Sequence, residues 1–352
     1  MRPDADATGI VLKDVRREMI EKVKSWVIVV LLFVSSGAYA GNPLKWAWNN
    51  ADSLLKKIYE RADYDTAYID RSPGIIGLKG WANLSGLKFY GRGNGVKADL
   101  KTDNKATVSC ELDYYDLALE VALNPSSLSG RNKDYEFNLN LYSTRFSLEV
   151  SYQIAKTLAG DIHRDGRMVT MEKGWLHTKI LNVAAFYTFN YRHFSYDAPF
   201  YQLYRQKRSA GSWLAGFSFQ GGSLQTSKDF LVKREVSDSD LSDAYIGAGH
   251  LGIGGGYAYN YVAGPHWLWH ISAIPSLIVW SQDKITLNNE RRYVDTKFPT
   301  FMFNERVAVV YFFNPRHFLG FNFTASNLLK WNNITGMRQN KWLARVFYGV
   351  RL

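Results

Sequence analysis

Residues 342–352 read W-L-A-R-V-F-Y-G-V-R-L, and the fold follows from how that stretch divides. Taken two at a time, one side carries Trp342, Ala344, Val346, Tyr348, Val350 and Leu352. The other carries Leu343, Arg345, Phe347, Gly349 and Arg351. Strict alternation specifies a β-strand with one apolar and one mixed face. Two arginines and a glycine would make a poor inner face for a soluble sandwich. They suit a membrane barrel, whose apolar face meets lipid while the other lines a polar lumen. The apolar last residue, with Tyr348 shortly before it, also resembles the signal that outer-membrane barrels present to their assembly machinery.

The same alternation recurs upstream. Phe137, Leu139 and Leu141 alternate with Glu136, Asn138, Asn140 and Tyr142; past a turn near Thr144, Phe146, Leu148, Val150, Tyr152 and Ile154 alternate with Ser147, Glu149, Ser151 and Gln153. Leu181–Tyr191, Trp213–Phe219, Leu251–Tyr261 and Leu319–Ala325 repeat the scheme. Trp267–Val279 and Phe301–Phe313 read as strands without a clear facing, since Glu305 and Arg306 disagree. About twelve strands result, and that many half-wet strands need closure into a barrel. Counting back from the last strand, tight turns at 143–145, 263–266 and 314–317 fall on the periplasmic side. Polar stretches 91–106, 124–134, 156–180, 222–248, 281–299 and 329–341 fall outside as loops. The exception is 193–210, a long connection on the periplasmic side.

Composition agrees. Twenty-two tyrosines and eleven tryptophans in 352 residues suit aromatic girdles at two membrane interfaces. One cysteine, Cys110, excludes an internal disulfide. The net charge of +11 is scattered, with no helix-turn-helix, zinc-finger or RNA-binding signature, so nucleic acid is not expected as a partner. Lipid phosphates suit a basic, aromatic surface at least as well.

Residues 19–40 carry Lys22 and Lys24, an apolar run from Trp26 to Val34, and the small-x-small site Ala38-Tyr39-Ala40. This reads as a secretory signal peptide, with Gly41 the first mature residue. Its apolar run is too short for the roughly 20 residues of a spanning helix. Asp4, Asp6, Asp14 and Glu18 precede it, which suggests Met19 as the true start. A helix is expected over Asn49–Asp63 from the spacing of Leu54, Leu55 and Ile58. The expected organisation is a signal peptide over 1–40, a periplasmic segment with a short helix capping the barrel over 41–72, and an all-β, antiparallel transmembrane β-barrel over 73–352 in a Gram-negative outer membrane.

The run F-S-Y-D-A-P-F-Y-Q-L-Y-R-Q-K-R-S-A-G-S-W-L-A-G-F-S, residues 194–218, resembles a family of exported bacterial outer-membrane proteins known as domain of unknown function 4421. Residues 65–69, Asp134–Tyr152 and Gly255–Val262 are similar to the same family, and Gln206–Ser212 is the most specific portion. The resemblance implies the barrel and carries over no functional residue.

Chemistry is sparse. The histidines are dispersed, and no H-E-x-x-H, C-x-x-C or G-x-S-x-G occurs. Gly252–Gly256 has no following helix and no phosphate-loop lysine, so it reads as a smooth strand face. His270 and Ser272 share a strand face without an identifiable orienting acid. Glu111, Asp113, Glu120, Glu136 and Glu149 are expected in the lumen, facing Lys79, Arg192, Arg345 and Arg351. They would either stiffen the interior by ion pairing or form a charged constriction. Arg205, Lys207 and Arg208 form a periplasmic basic loop, solvated or facing a partner. No metal or cofactor is expected. The expected partners are outer-membrane lipid and the assembly machinery. The expected role is a narrow, porin-like channel or structural component; the alternatives are a lipid-modifying barrel enzyme and a surface-binding protein using its outer loops.

Overall fold

In a computed structural model, the described residues are 43–93, 95–102, 104–123, 135–164, 166–226, 245–287, 290–294, 300–331 and 336–352. The expected signal peptide and most of the 124–134 and 222–248 stretches lie outside them. Helix α1 (Pro43–Glu60) belongs to a unit that ends at Arg61. It starts before the expected Asn49, because a proline is tolerated in a first turn. It stops short of Asp63, whose carboxylate instead receives Arg192 and Arg145.

The second unit, Ala62–Leu352, is all strand and connection. Its elements are β1 (Ile69–Arg71), β2 (Ile76–Gly93), β3 (Val96–Lys101), β4 (Lys105–Tyr114), β5 (Leu117–Leu123), β6 (Tyr135–Tyr142), β7 (Phe146–Ala155), β8 (Ala159–Arg164) and β9 (Arg167–Met171). They continue with β10 (Leu176–Thr188), β11 (Tyr204–Gln206), β12 (Ala210–Thr226), β13 (Tyr245–Ala263), β14 (Trp267–Leu287), β15 (Glu290–Val294), β16 (Phe301–Phe312), β17 (His317–Trp331) and β18 (Gly336–Arg351). Strands β2, β4, β5, β6, β7, β10, β12, β13, β14, β16, β17 and β18 pair antiparallel in that order, and β18 pairs back onto β2 from Gly336↔Arg92 to Arg351↔Gly77. These twelve strands therefore close into a barrel.

The alternation read from residues 342–352 holds: Val346 and Tyr348 are exposed outside while Phe347 and Arg351 are buried inside. The outer wall also exposes Trp213, Phe217, Tyr257, Tyr259, Tyr261, Trp267, Trp269 and Ile271. The structure settles β14 and β16 as well. Leu268, His270, Ser272, Ile274, Met302, Ala308, Val310 and Phe312 point inward and are buried. Glu305 faces outward and Arg306 inward.

At one end the connections are tight. Ser143 closes the β6–β7 turn, Gly264 takes a positive φ of 69° between β13 and β14, and Asn314 Oδ1 accepts from the backbone of Arg316 and His317 between β16 and β17. At the other end the barrel is taller than expected. The 91–106 stretch, read as a loop, holds the end of β2, all of β3 and the start of β4. The 156–180 stretch holds β8, β9 and the start of β10, and β3, β8 and β9 run on as an extension of the sheet. The reason is physical: strands beyond an apolar belt are polar on both faces, so their sequence lacks the alternation that reveals a strand.

Candidate functional site

The connection between β10 and β12 shares the tight-turn end, and it folds into the barrel. Phe194, Tyr196, Asp197, Ala198, Phe200, Leu203 and Tyr204 are buried, and Gln202 is fully so. They pack on inward residues of the wall, among them Tyr142, Phe186, Leu214, Ala258, Ile274 and Ala308. The 194–204 segment is a plug, whereas Lys207 and Arg208 of the basic loop stay exposed. The plug also explains the apolar residues Leu268, Ile274, Ala308 and Val310 on the inner faces of β14 and β16, which hid their facing in the sequence.

A short strand before the barrel and two wall strands hold the plug. β1 pairs with β11, from Ile69↔Gln206 to Arg71↔Tyr204. The Gln206 amide reaches three groups of the segment and one of the wall, donating to His193 O at 2.6 Å and to Arg208 O at 2.9 Å while accepting from Ser195 N at 2.9 Å and from Asn260 Nδ2 at 3.1 Å. Asn260 on β13 also donates to Ser195 O at 2.7 Å. From β18, Arg351 donates to Tyr201 O. Of the stretches that carry the family resemblance, 65–69, 194–218 and 255–262 thus converge on this plug. Gln202 is held at a φ of 56°, a strained value for a residue with a Cβ, and both polar atoms of its side chain are buried without a hydrogen-bond partner.

Beside and above the plug the lumen is laced by ion pairs. Lys79 meets Glu111 and lies 3.2 Å from Asp113, and Arg351 lies 2.9 Å from Asp113, all fully buried. Gly77 stands between Arg351 and Asp113 in register, and a Cβ there would lie 2.4 Å from both partners, so the bridge needs that glycine. Arg345 lies 2.8 Å from Glu120, which also accepts from Ser109 Oγ at 2.6 Å. Arg306 on β16 grips Glu149 on β7. These strands are separated by four others on the shorter way round (β14, β13, β12 and β10), so the pair spans the lumen. Arg306 sits 5.7 Å from the Tyr196 ring and 5.6 Å from the Phe200 ring, and Tyr142 donates to Glu149 while stacking on Tyr201 at 4.3 Å. The plug and the cross-lumen pair form one constriction.

Of the expected lumen charges, Glu111, Asp113, Glu120, Glu149, Arg345 and Arg351 are paired inside, and Glu136 lines the cavity above the plug. Arg192 is not a lumen charge. β10 ends at Thr188, three residues before the expected Tyr191, so the alternation no longer applies; the Arg192 side chain is 62% exposed and lies 3.0 Å from Asp63. That contact holds the Asp63 carboxyl below its ordinary range. Arg306 was missed because its neighbour Glu305 contradicted it. In the basic loop, Arg205 donates to Pro265 O, Lys207 lies 3.9 Å from Asp70, and Arg208 lies over Tyr68, so these side chains also fasten the plug.

His270 and Ser272 do meet, Nε2 to Oγ at 3.0 Å, and the group behind the imidazole is the Asn260 amide, with Nδ1 2.7 Å from its Oδ1. The arrangement resembles a nucleophile, base and orienting group. The rings of Phe194, Tyr196 and Phe200 cover it, and both residues are 3% exposed. Here it ties the plug to the wall.

Two plug-end carboxyls stand apart. Asp197 is buried, with one oxygen accepting from Tyr204 N at 2.8 Å and the other without a partner. Asp116, in the β4–β5 turn, is 1% exposed. Burial pushes both up to about 7, and Asp197 adds like-charge repulsion at Asp116.

The architecture defines a class, a closed twelve-strand antiparallel barrel plugged at one end by its own connection. Residues 63–351 match the family described as "Domain of unknown function (DUF4421)", and the chain belongs to that family. No curated protein sequence matches it. Among solved structures it is similar to the outer membrane protease OmpT of Escherichia coli, at 10% identity and a TM-score of 0.41 over 84% of this chain and 100% of that one. It is similar also to the β domain of the Bordetella autotransporter BrkA, at 10% identity and a TM-score of 0.33 over 80% of this chain and 100% of that one. An outer membrane channel of Pseudomonas putida F1 matches at 12% identity and a TM-score of 0.30 over 80% and 97%.

Proposed function

We propose that this protein is a narrow, plugged channel of a Gram-negative outer membrane, with the tight turns and plug at the periplasmic end. The outer belt of exposed tryptophan, tyrosine and aliphatic side chains supports a lipid-facing wall. Export through a cleaved signal peptide over 1–40 is part of this reading, as is insertion by the barrel assembly machinery. The observation that carries the channel reading is the plug itself. A purely structural barrel gains most from a well-packed apolar interior. This one retains a strained Gln202 and a buried carboxyl, Asp197, in a segment held by separable contacts, with a second buried carboxyl, Asp116, in the β4–β5 turn. Such features suit an element that leaves its seat.

The test is conductance in planar bilayers. Wild type should insert and stay closed, with brief openings. Replacing Arg306 with methionine and Glu149 with glutamine together should raise the open fraction, because the cross-lumen pair is lost without leaving a lone charge. A structural component would stay silent in both forms. The lipid-modifying alternative needs His270 and Ser272 to reach lipid. Their burial behind three aromatic rings argues against it.

A further inference from the structure

A cavity of about 190 Å³ lies in the lumen on the open side of the plug. Phe200 and Tyr201 contribute to it from the plug, and Asn138, Asn140, Asn182, Asn304 and Gln220 from the walls. Four of its lining residues carry a buried polar atom with no hydrogen-bond partner: Trp81 Nε1, Arg345 Nε, Asn322 Oδ1 and Ser218 Oγ. Three of these come from one side, since β2, β18 and β17 are neighbours and Arg345 is registered with Asn322. Ser218 faces them from β12. Trp81, Asn322 and Ser218 are each more than nine-tenths buried.

We propose that this cavity binds one neutral, polyhydroxylated solute the size of a single sugar ring. This rests on the plugged-barrel reading and names what its vestibule takes. The unpartnered set mixes two donors, an acceptor and a hydroxyl. A hydroxyl-bearing ligand answers all of them, because each hydroxyl both donates and accepts. Charged ligands fit poorly. Arg306 and Glu149 already satisfy each other, as do Arg345 and Glu120. An anion would meet Glu136 and Glu149 and a cation would meet Arg306, Arg345 and Lys341, all lining the same space. Size sets the other limit. The volume equals about six waters at about 30 Å³ each, and lies below the roughly 300 Å³ at which drug-sized pockets begin.

Calorimetry on the detergent-folded mature chain tests this with D-glucose, D-galactose and sorbitol, against L-glutamate and L-lysine as charged probes. Saturable binding of at least one neutral probe is expected, with both charged probes at least tenfold weaker. Asn322→Ala and Ser218→Ala should each weaken the neutral probe about tenfold, as for one lost hydrogen bond at a desolvated site. Each variant is scored only after its heat-modifiable gel shift shows a folded barrel, so two variants protect against one misfolding. No neutral binding, stronger binding of a charged probe, or binding unchanged in both variants would overturn the proposal. Conductance measured on the same preparation separates the two readings. A closed barrel that binds no neutral probe sinks this inference alone, whereas a permanently open pore sinks the plug as well.

Discussion

Asp197 makes the plug sensitive to pH, with seating favoured at low pH. In the seated plug its carboxyl is pushed up to about 7, mainly by burial. In a displaced, wetted plug it returns to about 3.9. Between those values the seated form holds a proton that the displaced form has released, so seating weakens as pH rises through that window and levels off above it. Three units at about 1.4 kcal/mol each give about 4 kcal/mol for Asp197. Asp116, also pushed up to about 7, adds to this by less than the same amount, because part of its shift comes from the Asp197 charge. Asp197→Asn keeps an oxygen to accept from Tyr204 N and removes the charge. Hydrogen exchange over 190–205, corrected for the intrinsic pH dependence of amide exchange, reads the opening free energy. Wild type should lose several kcal/mol of protection from pH 5 to pH 8.5, and Asp197→Asn should retain most of it at pH 8.5. Protection that rises with pH, or a variant less protected than wild type at pH 8.5, would refute the reasoning.

Three further outcomes are expected. Arg306→Ala leaves Glu149 as a lone charge in the lumen and should cost about 3–5 kcal/mol in urea unfolding, while the Arg306→Met, Glu149→Gln double variant should cost far less. Arg192→Ala removes only an exposed contact to Asp63, so the unfolding midpoint should stay where it is. Glu305→Leu should raise the urea midpoint in phospholipid vesicles, because that carboxylate faces outward between Phe303 and Val307.

How much was legible in the sequence depended on which neighbour each face met. β6, β7 and β18 were readable because one face meets the outside and the other a wet lumen, so the two faces differ in kind. The inward placement of Glu111, Asp113, Glu120, Glu149, Arg345 and Arg351 followed from that alternation alone. β14 and β16 were not readable, because Leu268, Ile274, Val310 and Phe312 face inward onto the plug or onto one another. The partners of the lumen charges lay beyond sequence reasoning, since Arg306 and Glu149 are 157 residues apart and meet across the barrel only after it closes. The plug left a trace in the connection lengths, a long connection on the side where the others are tight. Its density of aromatic residues, F-S-Y-D-A-P-F-Y-Q-L-Y over 194–204, was the signal that it is buried.

Closure of the barrel from within by residues 194–204 underlies the channel reading. It is tested most directly by single-channel conductance at pH 5.5, comparing the mature chain with a variant in which Ser195–Tyr204 are replaced by a glycine-serine linker of equal length. Closed wild-type barrels beside variant barrels with steady, discrete conductance are the predicted result. Equal conductance in the two would contradict it.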